Sequence, residues 1–88
     1  MMGIVIVSYT TAFDVDLGGL SADRKEARIR KNDVRSVVMD TDDITVELVF
    51  SSGEIYKFPY SSVDSVDGTA PTDQAHLYSL MNTVLGFN

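Results

Sequence analysis

The chain has no cysteine among its 88 residues. That excludes disulfides, thiolate metal sites and cysteine nucleophiles, and it leaves the redox compartment unreadable. There is a single histidine, His76, so a multi-histidine metal site cannot form within one copy. No run of about 18 apolar residues occurs, which excludes a transmembrane helix and with it a membrane-spanning role for helices. The opening Met1-Met2-Gly3-Ile4-Val5-Ile6-Val7 is apolar but short, and it has no basic flank, so a signal peptide is not expected. Positive charge is scarce as well. Seven basic residues face thirteen acidic ones, giving a formal net charge of −6. Nonspecific binding to nucleic acid or to an anionic membrane needs net positive surface and is therefore disfavoured.

What is present is an ordinary globular composition, 44% apolar. One domain spanning 1–88 is expected. A domain of this size buries only about 60–65% of the surface its unfolded chain exposes. Small cores are commonly supplemented by disulfides, metals or oligomerisation. Of these, oligomerisation is the supplement the composition leaves open.

The hydrophobic pattern predicts strands near residues 3–9, 13–17, 26–31, 34–39, 44–50 and 54–60, and a helix near 72–85. Ile4 to Val7 are consecutive and mostly β-branched, as in a strand covered on both faces. A small domain rarely covers both faces alone, so one face is expected to meet a neighbouring subunit. Thr10 to Ala12 reads as a turn, and Phe13, Val15 and Leu17 alternate with Asp14 and Asp16 as a half-buried strand. Gly18-Gly19 breaks regularity. Leu20 to Lys31 is ambiguous, and loop followed by strand from about Glu26 is preferred. Asp40-Thr41-Asp42-Asp43 reads as a turn, because short acidic side chains bond their own backbone.

The stretch from Ile44 to Tyr60 is the most informative. A three-residue loop, Ser51-Ser52-Gly53, pairs Phe50 with Glu54, Leu48 with Tyr56, Val46 with Phe58 and Ile44 with Tyr60. It also sets Val49 against Ile55 and Glu47 against Lys57. Each such cross-strand pair contributes roughly 0.2–1 kcal/mol. A slip of one residue would oppose Leu48 to Lys57 and Glu47 to Phe58. Such a loop wants glycine last, in the left-handed conformation, and Gly53 is there. Pro59 cannot donate to a ladder and is expected at an edge or a strand's end. Ser61 to Gly68 reads as a loop with one short turn. There is a weak internal echo, Val34-Arg35-Ser36-Val37 against Val63-Asp64-Ser65-Val66, read as a recurring local solution.

Leu77, Leu80, Met81, Val84 and Leu85 form a one-sided stripe on the C-terminal helix. Thr72 or Thr69 is the expected N-cap, Asp73 suits the first turn, and Gly86 is the expected left-handed C-cap. The expected class is α+β: a small antiparallel sheet, or partly open barrel or sandwich, packed by one amphipathic helix.

Candidate chemistry is thin. Asp40, Asp42 and Asp43 lack the further ligands and the glycine of a calcium loop, and a turn is preferred. His76 has no Ser/Asp constellation near it, and a surface or interface histidine is preferred. Gly18-Gly19 lacks the third glycine of a dinucleotide loop and reads as a turn. Tyr56, Phe58 and Tyr60 could stack bases, but their register beside Leu48, Val46 and Ile44 favours a core face under the helix. No catalytic residue, cofactor site or metal site is expected. Arg24, Lys25, Arg28, Arg30 and Lys31 gather five of the seven basic residues in eight positions. Phosphate binding is open to them, but contact with an acidic face of a neighbouring copy fits better, and a merely solvated strand weighs equally. With Ile4 and Ile6, these residues form the expected protein interface.

The segment ITVELVFSSGEIYKFPYSSVDSV, followed by a short helix, resembles small structural proteins of tailed bacteriophages. Several of those are acidic and cysteine-free, and are built on a hairpin with a return strand of the type G-x-x-Y-x-x-P-Y-S. The resemblance covers residues 33–85 and carries over no functional residue. It implies a non-enzymatic subunit of the virion, assembled in the bacterial host cytoplasm. Its partners would be copies of itself or other virion proteins at the capsid, neck or tail. The alternative is a small regulatory β module that binds a peptide or nucleic acid through its sheet.

Overall fold

The computed structural model describes residues 3–15 and 19–87, with side chains described at 3–10 and 25–87. The chain runs β1 (Ile4–Val15), β2 (Gly19–Arg30), β3 (Val34–Asp40), β4 (Thr45–Phe50), β5 (Ile55–Pro59), β6 (Val63–Val66) and α1 (Gln74–Leu85). Two three-stranded antiparallel sheets form, ordered β2-β1-β6 and β3-β4-β5. With one C-terminal helix closing them, the class is α+β.

The β4–β5 hairpin follows the register that side-chain pairing demands. Val46 lies opposite Phe58, Glu47 opposite Lys57, Leu48 opposite Tyr56 and Val49 opposite Ile55. The Phe50 N–H donates to the Glu54 carbonyl at 2.8 Å, and the Gly53 N–H to the Phe50 carbonyl at 2.9 Å. Gly53 has φ 95°, the positive value a third loop residue needs. Pro59 ends β5.

Ile44 departs from expectation. The alternation predicts it first in the strand on the core face, yet it sits at φ 55° and is 54% exposed. It closes the Asp40–Asp43 turn, so the strand starts at Thr45. The Asp40 carboxylate accepts from the Asp42 and Asp43 amides at 3.0 and 3.3 Å, which is the turn chemistry expected of it. Left-handed backbone costs a β-branched residue about 1–3 kcal/mol. Tyr60 still donates its N–H to the Ile44 carbonyl at 3.0 Å, so the outermost pair of the hairpin is kept.

Three further expectations are corrected. Thr10 to Ala12 is not a turn: β1 runs straight through it, paired from Ile4↔Arg30 to Val15↔Gly19. No glycine, proline or asparagine breaks Thr10-Thr11-Ala12, and two β-branched threonines sit well in a strand. Of the strand expected at 13–17, residues 16 and 17 lie outside the described residues, as does Gly18. Residues 20–25 are not a loop, because pairing with β1 extends β2 over them despite their helix-forming composition. Ser61 to Gly68 contains β6.

The valine echo marks how the chain changes sheets. Lys31–Asp33 and Tyr60–Ser62 are 3-10 turns, each followed by a valine whose N–H returns to the turn's first carbonyl. In each strand after the turn, pairing shifts between the first valine and the serine, so Arg35 and Asp64 are bulged out. The bulge restores the alternation and lets both valines of each segment face inward. Val34, Val37, Val63 and Val66 are all buried. The first corner carries the chain from the β2 sheet to β3, and the second carries it from β5 to β6. Bulged Asp64 accepts from the Thr10 hydroxyl at 2.7 Å.

After β6, Asp67-Gly68 makes a two-residue turn with φ 49° and 87°, the geometry that suits a hairpin's twist. Val66 and Thr69 exchange backbone bonds at 2.9 and 3.0 Å across it. Asp67 also grips β1 twice: its N–H donates to the Ile6 carbonyl and its carboxylate accepts from the Ile6 N–H, both at 2.8 Å.

The core lies between the sheets. Val5, Val7 and Ile29 come from one side, Val46, Leu48 and Phe58 from the other, and Leu77, Met81 and Leu85 from α1. The helix stripe is as expected, with Leu80 and Val84 partly buried on its flanks. The N-cap is Asp73, not a threonine. Its extended backbone lets its carboxylate accept from the His76 N–H at 2.7 Å. Gly86, at φ 84°, donates to Thr83, and Phe87 donates to Asn82, completing a left-handed C-terminal cap. The Gln74 side-chain amide donates to the carbonyls of Asp40 and Thr45 at 2.8 and 3.1 Å, tying α1 to the β3–β4 turn.

Thr45 itself is 7% exposed, and its hydroxyl has no hydrogen-bond partner among the described residues. A buried unpaired hydroxyl is destabilising. Thr45→Val keeps the shape and should stabilise the fold by about 1 kcal/mol, raising Tm by about 4–8 °C. A lower Tm in a thermal melt would show that the hydroxyl is satisfied in solution.

Candidate protein-binding site

Strand alternation sorts the expected interface residues. Val5 and Val7 point to the core, so Ile4 and Ile6 point away from it, and both are only half-buried. The register sets Ile4 opposite Arg30 and Ile6 opposite Arg28. This outer face of the first sheet therefore alternates isoleucine with exposed arginine. Arg24 holds the same parity, opposite Thr10, and its side chain lies outside the described residues. Lys25 and Lys31 have the other parity. Lys25 is opposite Tyr9, and the Lys31 N–H donates to the Gly3 carbonyl at 2.6 Å. The basic segment is thus divided between two faces instead of forming one patch. Arg28 and Glu26 approach to 3.4 Å, both well exposed, a contact worth little in water.

His76 has a structural task. The Thr72 N–H donates to its Nδ1 at 3.0 Å, which fixes the proton of the neutral ring on Nε2. Asp73 caps the His76 amide, and the His76 ring reaches back to the amide of Thr72, one residue before the cap, so the helix start is tied by two bonds as in a capping box shifted by one residue.

The aromatic row is split as well. Phe58 is 6% exposed and meets Tyr9 of β1 edge-on, with ring centroids 5.7 Å apart. Tyr60 is half-buried. Tyr56 is 42% exposed and leans on Phe50 at 4.7 Å. Only Phe58 is a core residue in full, and what covers it is the opposite sheet. The helix lies elsewhere, against β3, β4 and β6.

That placement leaves an opening. Two sheets facing each other have two seams. The helix closes the seam between β3 and β6, and the seam between β2 and β5 stays open. Two grooves of 660 and 480 Å³ run along it and share Arg28 and Tyr56. Tyr9, Ala27 and Phe58 line the larger groove, flanked by Arg28 and Lys57. Ile29, Phe50 and Tyr56 line the smaller one, with Arg30, Asp33 and Glu54 around them. Sequence reasoning missed the seam because its walls come from strands far apart in the chain. One signal was available: Ile55, an isoleucine at the start of an edge strand, is 48% exposed.

Both walls are strand edges. The bonded pairs Phe50–Glu54 and Ile44–Tyr60 fix the parity of β5. Tyr56 and Phe58 therefore direct their peptide groups to β4, and Ile55 and Lys57 direct theirs into the seam. The Lys31–Gly3 bond fixes β2 likewise, so the peptide groups of Arg28 and Arg30 point away from β1. Comparison with protein families, with characterised proteins and with solved structures finds no match.

Proposed function

We propose that the chain is a non-enzymatic assembly subunit of a tailed-bacteriophage particle, placed at the capsid, neck or tail and acting through protein–protein contacts. The observation that carries the protein-contact part is the outer face of the first sheet, where Ile4 and Ile6 alternate with Arg30 and Arg28. Apolar anchors beside arginine are what interface cores favour. A chain of net charge −6 offers acidic faces on its own copies for those arginines to meet. The virion part rests on the resemblance of residues 33–85. Sedimentation equilibrium should show self-association that weakens with added salt and falls at least tenfold in Ile6→Asp. Mass spectrometry of purified particles should find the chain. A protein that stays monomeric at high concentration and is missing from the particles would overturn the reading. A peptide-binding β module is the second reading, favoured by the open seam.

A further inference from the structure

We propose that the seam between β2 and β5 binds an extended acidic peptide segment, taken up as an added strand along β5. This extends the protein-contact reading to a second surface and names the chemistry of its ligand.

The first support is the backbone. Ile55 and Lys57 present to the seam N–H and C=O groups that have no strand partner among the described residues, and Pro59 presents a carbonyl. Such an edge is a template for another strand. The five residues Ile55–Pro59 offer a platform of about 17 Å. The second support is the floor. A strand laid along β5 turns alternate side chains inward, over Tyr9, Ala27 and Phe58, so those positions take apolar or aromatic residues. The third is charge, which selects the occupant. The larger groove has Arg28 and Lys57 on its walls and no carboxylate among its described lining residues, the Glu26 carboxylate meeting Arg28 at 3.4 Å from outside that lining. Outward side chains of the added strand lie beside Lys57 and are matched by aspartate or glutamate. At the hairpin end, the carboxylates of Asp33 and Glu54 line the smaller groove and disfavour further negative charge, so the acidic residues belong near Pro59. A polyphosphate backbone would carry negative charge into both ends, which argues for a protein partner over a nucleic acid.

The test uses a synthetic peptide alternating valine with aspartate, a control with lysine for aspartate, and the full chain. Fluorescence anisotropy should give binding to the aspartate peptide at least tenfold tighter than to the control, weakening with salt. NMR should show slowed amide exchange at Ile55 and Lys57. Lys57→Pro removes an N–H that faces the seam while leaving the ladder to β4 intact, and edge strands tolerate proline. It should weaken binding at least tenfold. The double variant Arg28→Glu with Lys57→Glu changes only exposed side chains and should do the same, so the result does not hang on one substitution. Equal binding of the two peptides overturns the proposal, as does perturbation confined to Ile4 and Ile6. Tighter binding of single-stranded DNA at the seam overturns it too. So does self-association that protects the same amides without peptide, which would make the occupant a second copy. Peptide failure with salt-sensitive self-association intact removes the seam assignment alone and leaves the assembly reading standing.

Discussion

Phe58→Ala should cost about 3–5 kcal/mol, whereas Tyr56→Ala should cost only about 1 kcal/mol. The two aromatics stand two residues apart on one strand face, and nothing in their sequence distinguishes them. Their surroundings do. Phe58 is 6% exposed, sits opposite Val46 and is capped by the Tyr9 ring of the other sheet. Its removal leaves a cavity between layers held apart by two sheets, which cannot collapse to fill it. Tyr56 is 42% exposed, and its loss mainly uncovers Phe50. Native domains hold about 0.05–0.15 kcal/mol per residue, about 4–13 kcal/mol for 88 residues. The first loss is thus a large share of the total and the second is not. Urea denaturation of the pair measures the difference. Equal losses would mean that Tyr56 is packed as deeply as Phe58 and that the seam is closed in solution.

Leu77→Ala should be comparably severe, at about 3–5 kcal/mol. Leu77 is fully buried, and with Met81 and Leu85 it forms the single line of α1 that enters the core. The isolated helix of twelve residues has too few turns to be stable by itself, so its order depends on this line. Leu80→Ala, on the half-buried flank, should cost about 1–2 kcal/mol. If the two variants melted together, the helix would be docked by its flank, and the closure of the β3–β6 seam would need revision.

The hairpin was legible because its pattern has period two on both strands and only one register satisfies it. The helix was legible because five apolar residues share a face and a glycine follows. The long strands were not. Thr10-Thr11-Ala12 and the charged run before Ala27 carry no strand pattern of their own, and each becomes strand through pairing with the other. β6 was hidden for another reason. Two valines three apart do not alternate, and they share a face only because Asp64 bulges. The same bulge at Arg35 serves the first corner, so the repeated valine-x-serine-valine pattern was a real signal whose meaning lay in the pairing. Of the candidate site, Ile4 and Ile6 were legible from their unbroken apolar run. The division of the basic segment was not, because parity within β2 depends on its register with β1.

The order of pairing has a kinetic consequence. β1 with β2, and β3 with β4 and β5, join neighbours in sequence, and such local pairings form early. β6 must instead return to β1, placing Val66 against Val7. That closure spans about two thirds of the chain and carries the largest loop entropy among the strand pairings. Until it happens, the amides of Ile4, Ile6 and Ser8 form an open edge beside an apolar surface, the kind of intermediate that aggregates. The slow step of folding should therefore be the arrival of β6. Asp67, which holds Ile6 by both backbone and carboxylate, is the latch that keeps the closed state from reopening.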